Sequence, residues 1–177
     1  MEYQLFVNLS DCLLSFSTRD YHSWIGFEGR VDERANAVTL SWIGGFSVGI
    51  EVLDRDHQEL MTEINRIEAA IIAAEDGVLA GQVDDYRTLM AGHLDRELGL
   101  LTRYDYPKVA AFAAAQADLS ARLVTFAAEL DSGSDRRRLR ALWLDYQGRW
   151  LEILVLHSLD YKWFFADGNI RPSFEPQ

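Results

Sequence analysis

His93 and Glu97 stand four residues apart, so on a helix their imidazole and carboxylate stack on one face. That face also carries Tyr86, Leu89, Met90, Leu101 and Tyr104, an apolar stripe that the two polar groups interrupt. His57 interrupts a second stripe, ahead of Leu60, Met61, Ile64, Ile67 and Ile71. Gln116 falls between Phe112 and Leu119 on a third stripe, and His157 and Asp160 between Ile153 and Phe164 on a fourth. Three of the four histidines, two carboxylates and an amide are thus aimed at one interior. An ionised carboxylate buried alone is strongly destabilised, or its pKa shifts until it is neutral. A metal ion would satisfy imidazole and carboxylate together, and helical bundles build such sites from side chains on facing helices. Each residue also has a plain structural reading: an inward histidine hydrogen-bonded in the core, Gln116 in an amide network, His157 paired with Asp160.

The elements that must position these groups follow from the same periodicity. Residues 54–75 predict a first helix with Asp54 as its N-cap, and 82–104 a second. "YDYP" at 104–107 breaks the pattern, because the residue before a proline is pushed out of the helical region. Pro107 suits the first turn of a third helix running to 131, with Val109, Phe112, Leu119, Leu123, Phe126 and Leu130 as its stripe. "DSGSD" turns the chain into a fourth helix over 135–166. Short connections between four helices predict an all-α fold, an antiparallel up-and-down four-helix bundle over residues 41–177. Residues 1–40 differ. Runs such as "YQLFV" and "AVTLSW" predict an N-terminal extension of short strands or irregular structure.

At 177 residues, 49% of them apolar, the chain can bury a substantial core as one domain. A net charge of −11 repels phosphate backbones and anionic lipids, so no nucleic-acid or membrane partner is expected. The basic run "DRRRLR" at 135–140 reads as the solvated start of a helix. The lone Cys12 gives no disulfide framework. The first residues lack the charge and apolar pattern of a signal peptide, and no run approaches the ~18 apolar residues of a spanning helix. A soluble, cytoplasmic protein is the expectation.

Two stretches carry a family resemblance. "WIGGFSVGIEVLDRDHQEL" and "HLDRELGLLTRYDYP" resemble the opening and second motifs of the hemerythrin family in its bacterial single-domain form, across residues 42–166. The resemblance implies that His57 and His93 are iron-ligand histidines and Glu97 the bridging glutamate. It also implies a non-haem iron centre of one or two ions, with O2 or another small diatomic as ligand. Where the family has its third pair of histidines, this chain has Phe112 and Gln116. Where the family has a histidine and, five residues on, an aspartate, His157 and Asp160 stand three apart, so only one fits in strict register. The two-histidine half of the site is thus retained as His57, His93, Glu97 and Asp160. The other half keeps at most His157, with Gln116 as a weak oxygen donor.

The resulting expectation is a hemerythrin-like non-haem iron protein that binds or senses O2 or a related molecule at an altered site, mononuclear or incompletely dinuclear. Two histidines and a carboxylate also suit Zn or Mn. The alternative is a metal-free, degenerate hemerythrin domain acting as an interaction or regulatory module, with Phe112 filling the vacated half-site. An enzymatic role is the lesser expectation, because no motif points to an organic substrate. The N-terminal extension offers a surface for a protein partner or self-association.

Overall fold

The computed structural model describes residues 38–168 and 170. Residues 38–43 form no strand, although "AVTLSW" predicts one. Their backbone pairs with a side-chain amide instead: the Leu40 N–H donates to Asn65 Oδ1 at 2.8 Å, and Asn65 Nδ2 donates back to the Leu40 carbonyl at 2.8 Å. Leu40 is itself part of the core. The other strand-like run, "YQLFV", lies outside the described residues, as does most of the N-terminal extension.

A short 3-10 turn, Gly44–Phe46, leads into helix α1, Glu51–Ala73. Asp54 does not cap this helix from outside, as its sequence position suggests. It sits in the first turn and reaches back, accepting the Val48 N–H at 2.7 Å and the Ser47 hydroxyl at 2.7 Å. Gly49 between them has φ +78°, a backbone that favours glycine. Helix α2, Asp76–Arg103, starts six residues before position 82. Gly77 and Gly81 weaken helix propensity there, but burial of Leu79 and Val83 overrides it. Helix α3 is Val109–Asp131, after a turn in which Asp105 is left-handed at φ 52°. Asp135 caps helix α4, Arg136–Ile153, accepting the Arg138 N–H at 2.9 Å. A π turn, Leu154–Ser158, then runs into helix α5, Leu159–Asp167.

The fold is an all-helical bundle with no strand among the described residues. Helix α1 packs on α2 and α4, and α3 packs on the same two, which closes the ring. The predicted stripes on α1, α2 and α3 all face inward, His57, His93, Glu97 and Gln116 with them. No helix among the described residues is long and apolar enough to cross a membrane.

Aromatic rings fill part of this core. Trp143 stacks on Tyr146 with centroids 5.0 Å apart and donates its indole N–H to the Ile64 carbonyl at 3.2 Å. The hydroxyls of Tyr86 and Tyr146, both buried, hydrogen-bond each other at 2.7 Å. Tyr86→Phe is therefore expected to lower stability by about 1–3 kcal/mol, since it strands the Tyr146 hydroxyl, while Tyr86→Phe with Tyr146→Phe recovers most of that loss. Urea denaturation of the two single variants and the double one checks this; additive losses would count against it.

Candidate metal centre

The register of α4 decides which residues reach the centre. The stripe Tyr146, Trp150, Ile153 leads on to His157, Asp160 and Phe164 if the helix continues unbroken. The π turn inserts one residue instead. Beyond it the buried positions are Ser158, Tyr161 and Phe165. His157 and Asp160 are rotated out of the cluster. His157 lies half-buried against Phe112, with ring centroids 6.3 Å apart. Burial, with Arg149 nearby, lowers its pKa. Asp160 accepts hydrogen bonds from Lys108 at 2.9 Å and from the Tyr106 hydroxyl, so it ties α5 to the α2–α3 turn. The two also do not pair with each other in the way their spacing suggests: each has its own partners.

Four of the six sequence-derived site residues do meet. Glu97, with no exposed surface, is the hub. Its Oε2 lies 3.2 Å from His93 Nε2 and accepts from Gln116 Nε2 at 3.1 Å. Its Oε1 lies 3.7 Å from His57 Nε2 and accepts from the Tyr161 hydroxyl at 2.6 Å, with Ser158 Oγ at 3.4 Å. The two imidazoles stand edge to face, centroids 4.7 Å apart. Behind His93, Nδ1 is 3.3 Å from Asp56 Oδ2, and the same oxygen accepts from Arg96 Nε at 2.8 Å.

Burial disfavours a charged His93, but the Glu97 charge and hydrogen bonds to Asp56 and Glu97 outweigh it and push the ring up to about 9. Burial likewise opposes ionisation of Glu97, yet the His93 charge and both histidines' hydrogen bonds hold it well below the usual carboxylate range. Asp56 is lowered too: burial acts against it, and His93 and Arg96 prevail. Without an ion, two positive groups (His93, Arg96) thus balance two negative ones (Asp56, Glu97). Tyr161 is raised well above its ordinary value by burial and by Glu97, so it is a hydrogen-bond donor here.

This donor set fits one metal ion. Ligand atoms about 2.0–2.2 Å from a shared ion lie roughly 3–3.5 Å from one another, close to the 3.2 and 3.7 Å seen for the two imidazoles against Glu97. One ligand atom from each of His57, His93 and Glu97 falls within 4.8 Å of the others, and among the described residues no other trio of histidine, cysteine, aspartate or glutamate side chains does so. Beside them is a cavity of about 10 Å³, also lined by Met90, Gln116 and Trp150. Roughly 10–15 Å³ holds one water-sized body, so the space beside the trio is of that size. His57 Nδ1 and Gln116 Oε1 are buried without a protein partner. The Asp56–His93 contact is the arrangement that orients a metal-bound imidazole through its other nitrogen.

Sequence reasoning missed Asp56, Arg96, Ser158 and Tyr161. Asp56 and Arg96 each precede a stripe residue by one position, some 100° round the helix, and so fall off the stripe while still facing the neighbouring helix. Ser158 and Tyr161 continue the stripe of Gln147, Leu151 and Leu154, a second register that the sequence offers beside the first. Comparisons with protein families, with curated proteins and with solved structures find no match to this chain.

Proposed function

We propose that this chain is a hemerythrin-like metal protein, an antiparallel up-and-down bundle that holds one non-haem iron between His57, His93 and Glu97. In this reading the ion binds O2 or a related diatomic, for transport or sensing. The observation that carries it is the buried trio of ligand atoms within 4.8 Å beside a cavity of one-atom size. Iron would supply a centre with open positions, the usual consequence of two histidines and a carboxylate; Zn or Mn would suit the same donors.

The chain's own residues then have defined tasks. Nε2 of His93 faces Glu97, while Asp56, fixed by Arg96, accepts from Nδ1 and sets the tautomer. Tyr161 and Gln116 hold one oxygen each of Glu97, which fixes the carboxylate plane. Met90, Leu119, Trp150, Ile153 and Leu154 wall the space with apolar surface and exclude water. No motif in the sequence points to an organic substrate, which favours binding over turnover. Asp160 and His157 take no part in holding the ion.

A metal-free reading has its own support. Glu97 already accepts from Tyr161, Gln116 and Ser158, and Phe112, 1% exposed, closes the space where further ligands would stand. A bundle so satisfied would serve as an interaction or regulatory module.

Elemental mass spectrometry of protein purified and then loaded anaerobically with Fe(II) separates the two. The expected result is about one iron per chain. A free-ion concentration one hundred times Kd should raise stability by about 2.7 kcal/mol, reversed by chelator. No uptake of any divalent metal, and no change in melting with chelator, would sink the metal reading and favour the module.

A further inference from the structure

Met90 borders two spaces. On its inner side it lines the metal cavity with His57, His93 and Glu97. On its outer side it belongs to a groove of about 610 Å³ between α2 and α3. With 3% of its surface exposed, Met90 is the floor of that groove. Ala91, Leu123 and Val124 contribute walls. Asp84 and Arg87, paired at 3.4 Å and largely exposed, stand at its solvent end.

We propose that Met90 is a gate: small uncharged ligands reach the ion from the α2–α3 groove when its side chain swings aside. The inference rests on the metal reading above. A thioether on an unbranched chain can change rotamer with no movement of the helix backbone. Between the charged end and Met90 the lining is uncharged, apolar but for the hydroxyls of Thr88 and Ser120, so an ion would shed its hydration there with little replacement, whereas a neutral diatomic loses almost nothing. Charge is confined to the outer end. The gate therefore also sets a class of ligand: neutral and diatomic in size, against hydrated anions of similar affinity for iron.

The test follows nitric oxide association and dissociation by stopped-flow absorbance on anaerobic, Fe(II)-loaded protein. Ala91 is exposed and borders the groove but not the cavity, so Ala91→Trp plugs the route without touching the site. Both rate constants are expected to fall about tenfold while Kd stays within about twofold of wild type. Met90→Leu, similar in volume but stiffer, should slow association as well, and Met90→Ala should speed it. If Met90→Ala does not fold, Ala91→Trp and Met90→Leu carry the result. Wild-type rates in both Ala91→Trp and Met90→Leu, with iron bound, overturn the gate and leave the metal centre standing. A changed Kd with unchanged association in Ala91→Trp also overturns it. Failure to take up iron overturns the metal reading, and the gate with it.

Discussion

Glu97→Ala is expected to destabilise the bundle by about 3–5 kcal/mol even without metal, the range seen when one partner of a buried charge pair is removed. The reason is the number of groups that face this one carboxylate. It has no exposed surface, and Tyr161, Gln116, Ser158 and both imidazoles converge on its two oxygens. Alanine strands donors from four helices and the π turn together, in a space that held a single water-sized body before the change. Some of the loss is offset, because the larger void admits water and His93 reverts toward neutrality once its main counter-charge is gone. Glu97→Gln divides the structural role from the ligand role. It keeps the volume and one carbonyl oxygen, so the metal-free protein should lose less stability than with alanine, while the ion-dependent gain disappears because an amide is a poor ligand. Equilibrium urea unfolding of both variants, with and without Fe(II), measures this. An alanine variant within about 1 kcal/mol of wild type would mean that the network does not hold the helices together.

That network was half legible in the sequence, and the half that was legible lies on unbroken helices. His57, His93, Glu97 and Gln116 interrupt apolar stripes of regular spacing, and α1, α2 and α3 keep that spacing through the site. The fourth helix offers two apolar registers at once. One runs through Tyr146, Trp150, Ile153, His157, Asp160 and Phe164, the other through Gln147, Leu151, Leu154, Ser158, Tyr161 and Phe165. Up to Ile153 both registers are buried, Gln147 and Leu151 as well as Tyr146 and Trp150; from Leu154 onward only the second is. The first register loses its place there because the π turn adds a residue without adding a turn, while the second keeps a regular spacing of three and four throughout. The signal was present as the second stripe, whose Leu154, Tyr161 and Phe165 are as apolar as their rivals.

The exchange has chemical consequences at Glu97. An aspartate in the register of Tyr161 would have put a second carboxylate beside the first, which suits a pair of ions and repels in their absence. The phenol that stands there instead donates a hydrogen bond to Glu97 and is raised away from ionisation. With Phe112 packed against it, it closes this end of the site with a hydrogen-bond donor and an apolar ring. Asp160 instead accepts from Lys108 and from the hydroxyl of Tyr106, itself a core residue, so the turn that directs it away from Glu97 also fastens the α2–α3 connection. One local change in helix geometry thus turns both His157 and Asp160 away from Glu97.

The fall in stability above pH 6.5 should be present without metal and absent with it. In the metal-free protein His93 titrates near 9 when folded, against 6.5 unfolded. A raised pKa contributes stability that is fully present below 6.5 and is lost as pH rises through about 9. The difference amounts to roughly 3 kcal/mol at most. On the acid side the signs reverse. Glu97 and Asp56 are depressed from 4.5 and 3.8, so their contributions are present above those values and fade as pH falls below them. Metal-free protein should therefore be most stable between about pH 5 and 6.5 and weaken steadily toward pH 9. Bound metal changes the slope because His93 Nε2 must give up its proton to coordinate. Proton competition then falls as pH rises, and the gain in melting temperature from Fe(II) or Zn should grow from pH 6 to pH 9, the interval over which the metal-free form declines. Thermal melts across that interval, with metal and with chelator, give both curves. Glu97→Gln should flatten the metal-free one, since it removes the charge that raises His93. Parallel curves, falling together toward pH 9 with or without metal, would show that His93 keeps its proton and that the ion, if bound at all, is held elsewhere.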